Sequence, residues 1–222
     1  MSVPKGATHF AFCILRFAFC IFGLGVLSSP ARAEKPPTTI DGRQYLPLEG
    51  GREMRYQVKV TPPLGKPRMA TATNKTEQAV LNGKTYFKTT TTVTGVPFIP
   101  DQAIYYRSSP DGVYQVLEGD EESPEWLYLP AKIKAGDRWG AETPSGTFSF
   151  TAVGFEDVET PAGKYAHCLK LRVTMKKTLI TNTQEQWLAP GVGSVKQSDS
   201  NPVFSSATVL EEVKTGKSDG SK

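Results

Sequence analysis

Apolar residues occupy every second position through most of this chain, and this period leaves few folds open to it. Met54–Val60 alternates apolar with polar side chains, and Tyr165–Met175 repeats the pattern over a longer stretch. A two-residue period matches the two faces of a β-strand. Between residues 41 and 214, no stretch of ten or more residues has helical spacing with caps. The pattern therefore predicts an all-β domain.

The stretch Tyr165–Met175 is the clearest strand. Its alternation predicts one buried face and one wetter face. The buried set is Tyr165, Leu169, Leu171, Val173 and Met175, and the wetter set is Lys170, Arg172 and Thr174.

Turn residues separate the predicted strands at hairpin spacing. Asn82-Gly83 stands between two alternating runs, and both residues tolerate the positive φ of a tight hairpin. Pro110-Asp111-Gly112 reverses the chain in the same way, and Gly191-Val192-Gly193-Ser194 is predicted to form a tight turn. Further strands are predicted at 69–73, 77–81, 84–93, 103–107, 113–117, 125–129, 138–142, 146–156, 185–188, 194–199 and 204–213.

This spacing, without crossover helices, predicts a single antiparallel meander. We expect eleven or twelve strands in a strongly curved half-barrel or a sandwich, formed by residues 41–214. Residues 34–40 and 215–222 are rich in Pro, Thr or polar residues and are predicted to be a disordered leader and tail.

The first 33 residues have the order of a secretory signal peptide. Lys5 and Arg16 precede an apolar run of eleven residues, 17–27, and Ala31-Arg32-Ala33 forms a small-residue cleavage site. The run is too short for a membrane span, which takes about 20 residues. Lipid attachment at Cys20 is a weaker alternative, because bulky Phe19 precedes that cysteine. We therefore expect export to the periplasm or beyond, with no integral membrane span after cleavage.

Charge argues against a nucleic-acid partner. The chain holds 26 Lys and Arg against 22 Asp and Glu, and three of the basic residues lie in the first 33, where no acidic residue occurs. The mature chain is therefore almost neutral and has little drive to release counterions from a polyanion.

Cleavage would remove Cys13, Cys20 and His9, leaving Cys168 and His167 as the last cysteine and histidine. No disulfide could then form within the chain. A His–Cys dyad is disfavoured, because consecutive strand residues point to opposite faces. We expect His167 to be a structural residue in or beside the core, on the face of Leu169 and Leu171.

Other chemistries find little support. The acidic run 118–122 lacks the ligand spacing of a calcium loop and is predicted to be a solvated turn. No phosphate-binding glycine motif occurs. We expect no catalytic residue, no metal and no cofactor. A hydrolase of envelope carbohydrate stays open as an alternative, because only the fold can bring two scattered carboxylates together.

The aromatic residues leave two interpretations open. They form either an ordinary core or the lining of an apolar cavity on a curved sheet, which the apolar loop 96–100 would cover. The strand aromatics in question are Trp126, Tyr128, Trp139, Phe148, Phe150 and Trp187.

A faint internal repeat is also present. The segment 46–56 and the segment 129–139 each run from Leu-Pro through a glycine turn into a strand with an aromatic residue. Two similar strand entries or a duplicated half-sheet would both explain it.

Four segments together resemble a group of exported bacterial proteins of unknown function. They are 46–56, 134–139, 160–171 with its Pro-Ala-Gly and Cys-Leu-Lys, and 187–196 with its Ala-Pro-Gly-Val-Gly. Many such proteins resemble the outer-membrane lipoprotein carrier fold, a half-barrel that can hold acyl chains. The resemblance implies a similar antiparallel sheet and supplies no catalytic residue. This chain lacks the lipobox cysteine of the lipoprotein members.

The sequence thus predicts an exported protein that is not an enzyme. Its expected role is a binding module for an apolar or lipid-like ligand, or for an envelope partner.

We expect the mature protein to begin at Glu34, because signal peptidase cuts after an Ala-x-Ala site that follows an apolar core. N-terminal sequencing and intact mass of protein recovered from the cell envelope measure this. Retention of Met1, or a lipid on Cys20, would contradict it.

Overall fold

The computed structural model of the chain describes residues 39–96, 101–119, 122, 124–144, 146–177, 180–200 and 205–215. The predicted signal peptide, most of the predicted leader and nearly all of the predicted tail lie outside these residues. The described residues contain no helix with the length and apolar character needed to cross a membrane.

Twelve antiparallel strands follow a short 3₁₀ turn at Gly42–Tyr45. The strands are β1 (Arg52–Thr61), β2 (Arg68–Leu81), β3 (Lys84–Thr94), β4 (Gln102–Ser109), β5 (Gly112–Leu117), β6 (Trp126–Pro130), β7 (Arg138–Thr143), β8 (Gly146–Thr160), β9 (Gly163–Lys177), β10 (Ile180–Ala189), β11 (Gly193–Ser200) and β12 (Ser205–Thr215). All of them belong to one sheet, which confirms the predicted all-β meander of eleven or twelve strands.

Each strand in this sheet pairs with its neighbours in sequence, except that β6 and β7 lie at the two ends of the order and β1 pairs with β12. The spatial order is β6-β5-β4-β3-β2-β1-β12-β11-β10-β9-β8-β7, so the pairing of β1 with β12 joins two six-stranded meanders. The two segments of the faint repeat lead into β1 and β7, the first strand of each meander. This position suits a duplicated half-sheet and equally suits two similar strand entries.

The predicted turns lie where the sequence places them. Asn82 and Gly83 have φ values of 50° and 74° and close the β2–β3 hairpin, in which Leu81 pairs with Lys84. Both positive values belong to the turn that matches the twist of a hairpin. Two predicted strands, 69–73 and 77–81, are wrong in their limits, because both are parts of the single strand β2.

The long strand β9 is an interior strand, third from one end of the sheet, and it obeys the predicted alternation over much of its length. Leu169 and Leu171 are fully buried and Val173 is buried, whereas Arg172 is exposed and pairs with Glu185 at 2.7 Å. The one-sided burial of this stretch is therefore confirmed.

His167 is exposed, although its ring stacks on Phe155, the ladder partner of Leu169. Bulges at Ala152/Gly154 and Glu156/Val158 shift the pairing of β8 with β9, and His167 takes a φ of 56°. Cys168 and Leu169 are both fully buried, because Cys168 belongs to one apolar cluster and Leu169 to another.

Two apolar clusters fill the fold. The first joins the aromatic residues of β6 to β8 with the inward residues of β9. The second lies where the tip of the β8–β9 hairpin reaches β12, with Ala162 N–H donating to Leu210 O at 3.2 Å. There the buried Arg52 donates to Val192 O at 2.6 Å, and the Tyr56 hydroxyl donates to Ser194 O at 3.0 Å. The Ala162 contact holds the hairpin tip against β12, and the Arg52 and Tyr56 contacts hold the β10–β11 turn against β1.

We expect Leu171→Ala to lower the free energy of unfolding by about 2 to 5 kcal/mol, through lost burial and an unfilled cavity. The neighbouring control Arg172→Ala removes only an exposed ion pair and should cost about 1 kcal/mol or less. Urea unfolding of both variants measures this. Equal losses would show that β9 is not buried on one face.

Candidate ligand-binding site on the concave face

The sheet is rolled toward the face that carries Leu171 and Phe150. Trp126 on β6 stacks on Phe148 of β8 with ring centroids 4.8 Å apart, although these strands lie near opposite ends of the sheet. The Trp139 indole N–H donates to Tyr128 O at 3.1 Å across the same gap. We call this inward surface the concave face and the gap between β6 and β7 the seam.

Aromatic side chains fill the concave face on both sides of the seam. Phe150 is 1% exposed and lies at the centre, with Trp139 stacked on it at 5.5 Å and Trp126 tilted against it at 5.7 Å. The aromatic wall consists of Trp126, Tyr128, Trp139, Phe148 and Phe150. Five of the six aromatic residues that the sequence singled out therefore meet here.

The sixth, Trp187, belongs to the outer face. It pairs in the ladder with Lys170 and Lys196, and their ammonium groups lie 4.8 and 4.6 Å from its ring centroid. Two cations over one indole cover it from both sides and leave it 6% exposed. Trp187 stabilises the sheet from outside and does not line the concave face.

Small side chains occupy the concave face opposite the aromatic wall. The ladder places Val58, Ala72, Thr91 and Thr208 on it, and Thr91 and Thr208 are partly exposed. A sheet that closes with eight strands is just wide enough for side chains to fill it, and twelve strands enclose more space. Of these four residues, Val58 and Ala72 are buried in the second cluster, and Thr91 and Thr208 are the partly accessible positions.

Tyr106 lies on the same face, beside the aromatic wall. It tilts against Tyr128 at 5.7 Å between ring centroids and remains partly accessible. Burial raises the pKa of the Tyr106 phenol above its ordinary value. Tyr106 therefore offers partly accessible aromatic surface on the concave face.

A chain of hydrogen bonds crosses the concave face beside the aromatic wall. The Tyr128 hydroxyl donates to Gln186 Oε1, the Gln186 amide donates to Gln184 Oε1, and the Gln184 amide donates to Asp199 Oδ1 at 2.8 Å. Gln197 and Ser206 donate to the other oxygen of Asp199 at 2.9 and 3.0 Å. We call Gln184, Gln186, Gln197 and Asp199 the amide strip.

Two polar oxygens on the same face have no hydrogen-bond partner among the described residues. Gln115 Oε1 and Asn182 Oδ1 are buried acceptors without a donor, and Gln115 is 5% exposed in the row of Tyr106 and Trp126. A buried acceptor left unsatisfied costs about 1–3 kcal/mol. Each oxygen would gain a hydrogen bond if an N–H or O–H donor reached it.

An open cleft of about 500 Å³ lies along the seam, between Glu125 and Trp126 on one side and residues 140–144 on the other. Glu125 holds its β6 side in place by accepting hydrogen bonds from Arg107, Tyr86 and Lys84 at 2.6 to 3.1 Å. The Arg107 guanidinium lowers the pKa of Glu125 from 4.5 to about 2, with smaller contributions from the other two donors. Glu125 thus keeps its charge at every physiological pH.

Other residues considered in the sequence do not gather into a site. The ring of His167 lies over Phe155 at 4.7 Å, beside the first cluster and away from the core interior. Burial raises the pKa of the Cys168 thiol to about 11, so this fully buried cysteine is a poor nucleophile. Residues 120, 121 and 97–100, from the acidic run and the apolar loop, lie outside the described part of the chain.

In the described ranges, no three His, Cys, Asp or Glu residues lie close enough to hold a metal ion. The amide strip was missed in the sequence. Its signal was the run of Asn182, Gln184 and Gln186 at alternate positions before Trp187, but the strand predicted there began only at residue 185.

The described residues thus form a curved all-β sheet of twelve strands whose concave face is partly accessible. The DUF3108-like family model matches residues 148–210, which cover most of β8 to β12. A search of curated proteins finds no match.

Two solved structures are similar in fold. One is a candidate exported protein with a YmcC-like fold from Bacteroides fragilis, at 17% identity and a TM-score of 0.48, with 76% of this chain and 98% of that chain covered. The other is a candidate lipoprotein from Parabacteroides distasonis, at 16% identity and a TM-score of 0.41, with 77% and 98% covered.

We expect Glu125→Gln to destabilise the protein in a pH-dependent way. A carboxyl with a lowered pKa stabilises the fold above its unfolded pKa and loses that contribution as pH falls toward about 2. The melting temperature of the variant should be lower than that of the parent near pH 6, and the two should converge toward pH 2.

Glu142→Gln is the matched control, because Glu142 borders the same cleft and is exposed. Its effect should be small at both ends of the pH range. A Glu125→Gln variant that melts like the parent near pH 6 would show that the four-residue contact does not hold β6.

Proposed function

We propose that the protein is an exported binding protein without enzymatic activity, and that it holds a small amphiphilic molecule on its concave face. The observation that carries the proposal is the division of that face into an aromatic wall and a wall of small and amide side chains. Apolar surface supplies most of the affinity in such pockets, and a few polar groups fix the orientation.

The apolar part of the ligand would lie against the accessible aromatic surface near Tyr106, and its polar end would face the amide strip. The unpartnered oxygens of Gln115 and Asn182 support a ligand with hydrogen-bond donors. This makes the ligand more polar than the purely lipid-like molecule that the sequence suggested. The predicted export of the chain would place this binding in the cell envelope.

No observation on the described residues supports the alternative of a carbohydrate hydrolase. In the described residues, the carboxyl groups with a shifted pKa are Asp41, Asp111, Glu125 and Glu185, and each pKa moves down. A general acid needs its pKa raised.

A matched pair of threonines tests the proposal. Thr91 lies on the concave face between Asn74 and Gln102, and Thr92 beside it points to the other face. We expect Thr91→Phe to fill the open interior and to weaken binding of the apolar fluorescent probe N-phenyl-1-naphthylamine by roughly tenfold. Thr92→Phe should leave the affinity unchanged.

Melting temperatures of both variants show whether the sheet still forms. Native mass spectrometry of protein taken from the envelope provides a second measurement, with an added mass expected from a retained ligand. No probe binding by the parent, or equal loss in both variants, would overturn the proposal.

A further inference from the structure

The amide strip has a defined direction of hydrogen bonding. Its first member, Gln186, accepts a hydrogen bond from the Tyr128 hydroxyl, and its last member, Asp199, is a carboxylate that can only accept. Burial raises the pKa of Tyr128, so the phenol stays a donor. Each glutamine amide is therefore oriented by its neighbours, with one N–H engaged inside the strip and a second N–H left for another acceptor.

Charge on the concave face restricts what can bind the strip. The described concave positions around Asp199, on β10 to β12, on β9 from Leu169 to Met175 and on β1 from Tyr56 onward, hold no Lys or Arg, and Lys177 lies beyond them at the end of β9. An anionic head group would meet a carboxylate without a compensating cation, which is unfavourable in a partly buried place. Phosphate and carboxylate head groups are therefore disfavoured.

A cationic head group is disfavoured for a different reason. Asp199 already accepts three hydrogen bonds, from Gln184, Gln197 and Ser206, and they occupy both of its oxygens. Three of its roughly four lone-pair sites are thus used by donors of the sheet itself, which leaves little of the carboxylate for a cation. The groups that remain able to hydrogen-bond a ligand are the neutral amide N–H groups and the unpartnered carbonyl oxygen of Asn182.

Hydroxyl groups are suited to these partners, because each hydroxyl can donate to a carbonyl oxygen and accept from an amide N–H. Facing residues on neighbouring strands are about 5 Å apart, and alternate residues on one strand are about 7 Å apart. Gln184, Gln186 and Gln197 thus present amides at a spacing of about 5–7 Å, which hydroxyls on opposite sides of a sugar ring or on two linked rings can span. Building on the proposed function, we infer that the amide strip binds the neutral, polyhydroxylated head group of a glycosylated amphiphile.

The test compares detergents that share a dodecyl chain and differ in their heads: the maltoside, the phosphocholine and the trimethylammonium. Displacement of N-phenyl-1-naphthylamine below the micelle concentration gives each affinity. We expect the maltoside to bind at least about tenfold more tightly than the other two, a gain equivalent to one or two hydrogen bonds.

Two variants of the amide strip test whether its residues cause the preference for the maltoside. Gln186→Met and Asp199→Asn should reduce maltoside affinity by roughly tenfold and reduce probe affinity much less. The control Gln57→Met removes a glutamine from the outer face, where Gln57 donates to Glu211. It should change neither affinity. Retained probe binding shows that each variant is folded.

The outcomes separate the two proposals. Equal affinity for the three detergents, or a preference for the charged heads, overturns the sugar assignment and leaves the binding function standing. A maltoside preference that survives both strip variants overturns the role of the strip. Failure of the parent protein to bind the probe overturns the proposed function itself.

Discussion

The contact of aromatic rings across the seam is the interaction on which the rest of this structure depends. A twelve-stranded meander leaves two edge strands, β6 and β7, and the described residues form no backbone ladder between them. Trp126 on Phe148, and the Trp139 N–H on Tyr128 O, hold these ends together through side chains. Buried aromatic pairs add about 0.5–1.5 kcal/mol each beyond their area. They roll the sheet and so create a concave face.

The bulges of β8 and β9 supply the second constraint. A regular hairpin of fifteen-residue strands would extend straight past the sheet. The shifts at Ala152/Gly154 and Glu156/Val158, with His167 at positive φ, bend it so that its tip reaches β12. The bend also buries Cys168 beside Leu169. One end of the rolled sheet is thereby covered, while the amide strip stays partly accessible.

Local signals were enough to predict the strands and turns, because a period of two and an Asn-Gly turn act over a few residues. The exposure of His167 could not be predicted in this way, because the bulge beside it depends on how two whole strands pair and not on a few neighbouring residues. The amide strip was missed for a related reason. Gln186 and Gln197 face each other only in the β10–β11 ladder, and their inward direction depends on closure at Trp126, far away in sequence.

The aromatic wall and the amide strip explain each other. Large rings beside the seam use up the space on one side, so the strands opposite can carry Ala70, Ala72 and Thr91 without collapsing the sheet. Polar side chains at inward positions would be costly in a filled core, because each needs a partner. Gln184, Gln186 and Asp199 meet that need mutually, and Gln115 and Asn182 do not. An interior that leaves acceptors open beside accessible apolar surface is better suited to holding a guest than to maximal stability.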